Sequence, residues 1–570
     1  MTKSYDVAVV GGGHNGLVAA NYLARAGLKT VVLEARPVVG GACVSEELIP
    51  GATWSSCAFV QGMLRPEIIA ELELAKHGLR SISPPVQGLA LWEDGDHVML
   101  WQDADRSLKS IERHNKRDAQ GFFRFATRLK RFGDITRPWL LREPPSRSEV
   151  LAAFEEAGEL ELLNEFVLMS AGDLLGRYIE SPRLRGYMMF LGMVSTWGGP
   201  STPGTSYVYG YHAQGEFEGV FGRWALPVGG MGAITQALAA SARAHGAEIR
   251  TGSPVEQILV KGNKTAGVVL RNGEEIAAKT VVSGADPKRT LGKLVGRAHL
   301  PEKLADMVER HDQRGSMARI QLLIDELPHY VGFPVGPGAH HQGHAILGAT
   351  PEKYELAWEA QRRGVIIDDY VIEALIHSTV DPSVAPKGQH TLVLGVQQLP
   401  YHLATGTWDD VKEAWTDKVI DGLCKFAPNL RNHILARHTI TPLDLEREYN
   451  LTGGNIFQGS MVGLDHLFDS RPFPGLGHYR MPIEGLYLCG AGTHPGGGVT
   501  GAPGHNAAHA VIADLKGEGR EKPGAKKAAG KAGMVDRILD TSVGQNLGYK
   551  IAKSRTLRAL TGKAAKVKKD

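Results

Sequence analysis

Tyr5-Asp6-Val7-Ala8-Val9-Val10-Gly11-Gly12-Gly13-His14-Asn15-Gly16 decides the fold, because an apolar run of β character stops at glycines just where a helical pattern begins. Gly11, Gly13 and Gly16 keep the spacing G-x-G-x-x-G ahead of Leu17-Val18-Ala19-Ala20-Asn21-Tyr22-Leu23-Ala24. In that spacing the first glycine permits a tight turn, the second lets backbone approach a pyrophosphate, and the third lets helix and strand pack closely. The helix that opens here aims unsatisfied N–H groups and the positive end of its dipole at the phosphates. A second apolar run, Thr30-Val31-Val32-Leu33, ends in Glu34, 18 positions after Gly16, where a carboxylate can accept hydrogen bonds from a ribose. A glycine turn alone also serves simple chain reversal. The ordered succession of strand, turn, helix, strand and acid instead specifies a βαβ unit for a dinucleotide.

The next segment, Glu34-Ala35-Arg36-Pro37-Val38-Val39-Gly40-Gly41-Ala42, favours FAD. A second glycine pair brings another piece of backbone to the diphosphate, and Arg36 offsets its charge. Simple NAD dehydrogenases do not need that second clamp; the alternative for Gly40-Gly41 is a plain turn. Flavoprotein disulfide reductases place a redox cysteine pair five positions apart soon after such glycines. Here Cys43 is followed at that distance by Leu48, so thiol–disulfide chemistry lacks its resolving partner and Cys43 reads as a packing residue.

Composition sets the remaining bounds. A chain of 570 residues with 43% hydrophobic and 22% charged residues has room for two or more domains with ample cores. No apolar run reaches the length of a membrane-spanning helix, and the first strand begins too early for a signal peptide, so a cytoplasmic location is expected. Four scattered cysteines read as reduced. From Leu515 to Asp570 there are 15 Lys/Arg against 5 Asp/Glu, a surplus of ten that leaves the remainder at −7 within an overall +3. Lys516 to Gly533 reads as a linker. Beyond it Val535, Leu539, Val543, Leu547 and Ile551 recur every fourth residue beside Lys550, Lys553, Arg555 and Arg558. Such a basic amphipathic tail suits peripheral contact with an anionic membrane, or docking on the body or on a second copy.

Between the ends, residues 55–215 show mostly helical patterns, including 149–175. Residues 223–300 return to α/β character. Gly229-Gly230-Met231-Gly232 precedes a helix over 233–245 that ends at Gly246. Short strands are expected at 248–251, 255–260, 266–270 and 280–283, with a hairpin turn at Asn272-Gly273. The Gly229–Gly232 turn lacks the strand-to-acid sequel of a nucleotide loop. With no second complete fingerprint, a separate nicotinamide domain is not expected, and electrons leave by another acceptor. Residues 300–440 are mixed, with strands over 320–324 and 390–396 and helices over 302–311 and 409–426. His340-His341-Gln342-Gly343-His344 has metal-ligand residue types, but its loop setting and lack of carboxylate or cysteine spacing argue against a metal.

A second signature spans 485–508: the strand Leu486-Tyr487-Leu488, a loop containing Gly490, Gly492 and Gly496-Gly497-Gly498, and a helix start after Gly501. Its glycines allow close backbone contact with a ribityl-phosphate, and the helix N-terminus can stabilise a reduced flavin ring.

These segments, with Gly284-Ala285-Asp286-Pro287, resemble the phytoene desaturase and carotenoid oxidoreductase family of FAD-dependent oxidoreductases over nearly the whole chain to about Asp514. Leu451–Gly459, Leu464–Phe468 and Arg471-Pro472 are most similar to the branch of pyridine nucleotide-disulfide oxidoreductase domain-containing protein 2, with β-carotene ketolase-like proteins nearby. The resemblance implies an α/β fold: a Rossmann-type FAD-binding domain of the flavin amine oxidase kind, built from 1–80, 216–300 and 441–514. An α+β substrate domain would be inserted as 81–215 and 301–440, with 515–570 as the basic tail. By similarity Gly11, Gly13, Asn15, Gly16, Glu34, Arg36, Gly41 and Ala42 contact FAD, and Val255 holds the adenine side through its backbone. Gly490, Gly492, Thr500 and Gly501 line the ribityl chain and ring.

The implied chemistry is dehydrogenation of a hydrophobic, polyene-like small molecule by hydride transfer to flavin, with quinone or oxygen as acceptor and no nucleic-acid partner. A flavin-dependent isomerase, or an FAD protein with a mainly partner-binding role, are the alternatives. His494 is the leading acid–base candidate, with a loop-ordering hydrogen bond as its other reading. Arg223, Trp224 and His505 stand behind it.

Overall fold

A computed structural model describes residues 4–518. The apolar stripe from Val535 to Ile551, and the linker after Glu518, lie outside the described residues.

The N-terminal βαβ unit forms as its pattern dictates. β1 (Ser4–Val10), α1 (His14–Arg25) and β2 (Thr30–Leu33) follow one another, and the two strands pair in parallel, Val7 opposite Thr30. Four strands from the middle of the chain join them: β3 (Glu248–Arg250), β4 (Val255–Lys261), β5 (Lys264–Leu270) and β6 (Glu275–Ser283). The seventh, β7 (Leu486–Leu488), comes from the far end. The parallel layer runs β3-β2-β1-β6-β7. β6 is long enough to serve two partners on one edge: Glu275 to Ala277 pair with β5, and Val281 to Ser283 with β7.

Both faces of this sheet are buried, which explains why β1 reads as a continuous apolar run. Val7 and Val9 point into a core with Leu17, Val18 and Leu23 of α1, Leu238 of α2 (Gly232–Ala244) and Val511 of α3 (Ala502–Leu515). Ala8 and Val10 point the other way, toward Val268, Val281, Leu291 and Leu304. Asn21 pins α1 to α2, its amide donating to Leu17 O and Leu238 O, 2.9 Å each. The expected helix over 233–245 and the strands over 248–283 stand, and Gly246 takes φ +91° after the last turn.

A second seven-stranded sheet has the order 434–440, 316–324, 390–399, 372–376, 344–347, 86–91, 97–101, antiparallel except between 344–347 and 86–91. One face packs on the helix Trp408–Cys424 through Ile320, Leu322, Ile372, Leu394, Trp415 and Val419. A helical layer from 104 to 212 packs its own core around Phe125, Phe132, Phe166 and Tyr211. Within the mostly helical stretch 55–215, residues 86–101 form a strand pair. The helix expected over 149–175 is broken into Arg147–Glu156, Leu160–Leu163, a π-turn Asn164–Leu168, and Ala171–Gly176. Gly158 at φ +68° interrupts the chain after the first piece, and the Ser170 hydroxyl caps the last.

Candidate cofactor cleft

The turn after β1 has the geometry its glycines were chosen for. Gly11 sits at φ +95°, and a Cβ on Gly16 would lie 2.1 Å from Gly11 O, so α1 can approach β1 only without a side chain there. Gly13 is the N-cap of α1 and offers no side-chain acceptor, which leaves first-turn N–H groups for a ligand. The second glycine pair closes on this turn: Gly40 N donates to Gly12 O at 2.9 Å, and Gly41, at φ +55°, lies against Gly13. At the end of β2, Glu34 accepts from Gly12 N at 2.7 Å and from Arg36 N at 2.8 Å. The carboxylate is thereby aimed across the turn.

Together these residues wall a cleft. Gly11, Gly13, Asn15 and Gly16 form one side, Glu34, Arg36, Gly41 and Ala42 another, and Val255 lies at the β4 end. His14, inside the glycine turn, and three other parts of the chain complete it: Arg289 and Lys293 after Ala285, Tyr449 to Leu451, and Gln458. Buried polar atoms there have no hydrogen-bond partner: His14 Nε2, Asn15 Oδ1 and Arg36 Nη1. Burying such groups unpaired is costly, so they call for a polar ligand. Backbone N–H groups, guanidinium cations and an aimed carboxylate match a diphosphate flanked by a ribose, and the residues fit FAD.

The second signature lies behind this cleft. Gly490 packs so closely on Gly284 that a Cβ would reach its carbonyl oxygen at 2.6 Å, and Gly492 N donates to Gln458 Oε1 at 3.0 Å. Both therefore bear on the cleft through Gln458, while Ala491 between them lines it directly. Thr500 O accepts from Arg65 N at 3.1 Å, and Gly501, at φ +73°, is the N-cap of α3. Neither reaches the cleft walls. Arg471, fully buried, knits this region by donating to Phe457 O, Ser460 O and Ala491 O at 2.6 to 2.7 Å. Asp286 does the same for the 450s segment, accepting from Thr452 Oγ1 at 2.6 Å and Gln313 Nε2 at 2.8 Å.

His494 is 3% exposed, its Nε2 donates to Trp139 O at 2.8 Å, and burial lowers its pKa to about 4. It does not line the cleft. Nor do the other candidates: Arg223 pairs with Glu218 at 3.8 Å, the Trp224 indole donates to Gln87 O, and His505 meets Asn506 and the Tyr22 ring. The Gly229–Gly232 turn seats α2 on the hairpin 45–55, with Met231 N and Gly232 N donating to the Ser55 and Ser45 hydroxyls. Cys43 is buried, its Sγ against Met231 O at 3.3 Å, and burial pushes the thiol up to about 12. His340 stacks on Phe333, His341 donates to Pro328 O, and His344 meets Glu373 at 2.7 Å.

Comparison with known proteins agrees with the geometry. The family model described as flavin containing amine oxidoreductase matches residues 16–317. The chain is 38% identical to pyridine nucleotide-disulfide oxidoreductase domain-containing protein 2 of Rattus norvegicus, covering 90% of this chain and 94% of that one. It is 26% identical to the lycopene-forming phytoene desaturase of Pseudescherichia vulneris, covering 89% and 99%. A solved putrescine oxidase shares the fold, with a TM-score of 0.59 at 15% identity over 91% of this chain and 100% of that one. With the cleft's chemistry beside these matches, the chain belongs to the flavin-containing amine oxidoreductase family and is an FAD-dependent oxidoreductase.

Proposed function

We propose that this enzyme dehydrogenates a hydrophobic, polyene-like substrate and passes the electrons on to quinone or oxygen. Bound FAD supplies the two-electron acceptor. The chain's own part is to hold the cofactor in the cleft, orient an apolar molecule and exclude water.

One observation carries the substrate class: the glycine loop of the second signature is covered by soft, apolar side chains. A Cβ on Gly496 would meet Met461 Cε at 2.8 Å, one on Gly497 would meet Phe457 at 2.6 Å, and one on Gly498 would meet Met63 Sδ at 2.6 Å. Tyr207, Tyr211 and Phe468 extend this layer, and the Tyr211 hydroxyl donates to Gly497 O at 2.7 Å. Methionine and aromatic surfaces accommodate extended hydrocarbons without demanding a charged group. The similarity to a phytoene desaturase points the same way.

His494 fits the loop-ordering role better than proton transfer. Burial keeps the imidazole neutral, and Nε2 is committed to Trp139. Anaerobic mixing of the holoenzyme with phytoene tests the proposal. Bleaching of the oxidised-flavin absorbance with appearance of a longer conjugated product supports it. Oxidised flavin with altered product geometry would indicate isomerisation instead.

No helix among the described residues is long and apolar enough to cross a membrane. Peripheral contact through residues 515–570 is part of the proposal, and flotation with anionic liposomes, with and without that tail, tests it.

A further inference from the structure

Arg36 is held from two sides before any ligand arrives. Its Nη2 is ion-paired with Glu46 Oε1, and its guanidinium lies 4.7 Å over the Tyr449 ring. The two holders are themselves joined, because the Tyr449 hydroxyl donates to Glu46 Oε2 at 2.9 Å. Ser56 Oγ donates to the same oxygen at 2.6 Å. Burial opposes ionisation of Glu46, but the Ser56 hydrogen bond, the Arg36 charge and the Tyr449 hydroxyl outweigh it, so its pKa is lowered.

The three side chains come from separate elements: Arg36 follows β2, Glu46 is ten residues on in the strand Ser45–Ile49, and Tyr449, from the far end of the chain, ends the helix Pro442–Tyr449. Arg36 and Tyr449 both line the cleft. After Glu46 and Tyr449 have taken their share of the guanidinium, Nη1 remains buried with no hydrogen-bond partner.

We infer that Glu46 and Tyr449 are positioning residues for FAD: they form a latch that fixes Arg36 with one N–H edge committed to the cofactor's diphosphate. A free arginine side chain loses rotamer freedom when it binds phosphate, whereas a latched one has lost it during folding. The latch also explains why the cleft needs the 440s segment, which carries no glycine signature. The inference rests on FAD binding in the cleft but not on the substrate class.

FAD titration of the apoprotein, read by quenching of flavin fluorescence, tests it. Removing a desolvated guanidinium–ring contact should weaken binding by about tenfold, so Tyr449→Ala should raise Kd by about that factor. Glu46→Gln should raise it by a comparable amount, and Tyr449→Phe, which keeps the ring, by about threefold or less. In an Arg36→Ala background, Tyr449→Ala should cost no further affinity. Tyr449→Leu replaces the alanine variant if the latter does not fold, as judged by circular dichroism. Unchanged Kd in folded Tyr449 and Glu46 variants would overturn the latch, as would an equal loss in the Arg36→Ala background. Absence of FAD binding by the unmutated chain would instead remove the reading on which the latch rests.

Discussion

Replacing His494 by glutamine should flatten the acid limb of the protein's stability without disturbing its neutral fold. The imidazole is buried, donates Nε2–H to Trp139 O at 2.8 Å, and burial lowers its pKa from 6.5 to about 4. The unfolded chain, whose histidine titrates near 6.5, therefore binds a proton that the folded chain refuses. The associated stability is fully present above about pH 6.5 and is lost as pH falls toward the folded value. Integrated between those two values, the loss from this residue is about 2 kcal/mol between pH 8 and pH 5 and about 3 kcal/mol by pH 4. A glutamine amide can still donate to Trp139 O but does not titrate. Urea unfolding at several pH values compares the two proteins, and the variant should lose about 2 kcal/mol less than the wild type between pH 8 and pH 5. If the two curves stay parallel, His494 is not a buried neutral imidazole. If turnover in the variant falls by orders of magnitude while FAD content and stability hold, the loop-ordering role is wrong and the residue acts in proton transfer.

Three further substitutions probe the cleft and the second sheet. Gly16→Ala places a Cβ 2.1 Å from Gly11 O, so α1 must move by about an ångström; thermal unfolding should show a loss of about 1–3 kcal/mol, with reduced FAD content. Glu34→Gln weakens the acceptor of the Gly12 and Arg36 amides and its aim at the ribose, so FAD titration should show Kd raised by about tenfold. Arg319→Met strands Glu373, whose carboxylate is buried with Arg319 and His344 as its partners. Urea unfolding should register a loss of about 3–5 kcal/mol, and adding Glu373→Leu should recover part of it.

The nucleotide half was legible because its signals are local. Gly11 answers to a positive φ, Gly16 to the Gly11 carbonyl five residues back and Gly13 to the nearby Gly40-Gly41 pair, and Val7 to Val10 are buried on both faces, so composition and spacing carried the reading. In the second sheet the central strands 316–324 and 390–399 and the helix 408–424 were legible, but the other strands were not, for an equally physical reason. Strand 372–376 carries Glu373 in a fully buried run, where it reads as polar interruption but serves as partner to Arg319 and His344. Strand 86–91 contains Gly88, needed because the Tyr187 hydroxyl lies 1.9 Å from where a Cβ would stand. Strand 434–440 carries Arg437 and His438 on a partly exposed edge. The cleft residues Arg289, Tyr449 and Gln458 lie far from the glycine turns in sequence, and only folding brings them there. In the second signature the glycines reported close packing, but Gly490 and Gly492 act through Gln458.

The central claim is that residues from both ends of the chain build one FAD site, and the flavin carried by the purified protein tests it most directly. Acid release followed by chromatography should yield FAD, not FMN, at one molecule per chain, and the released cofactor should rebind the apoprotein with return of the oxidised-flavin spectrum. A folded but colourless protein that takes up no FAD on reconstitution would contradict the account.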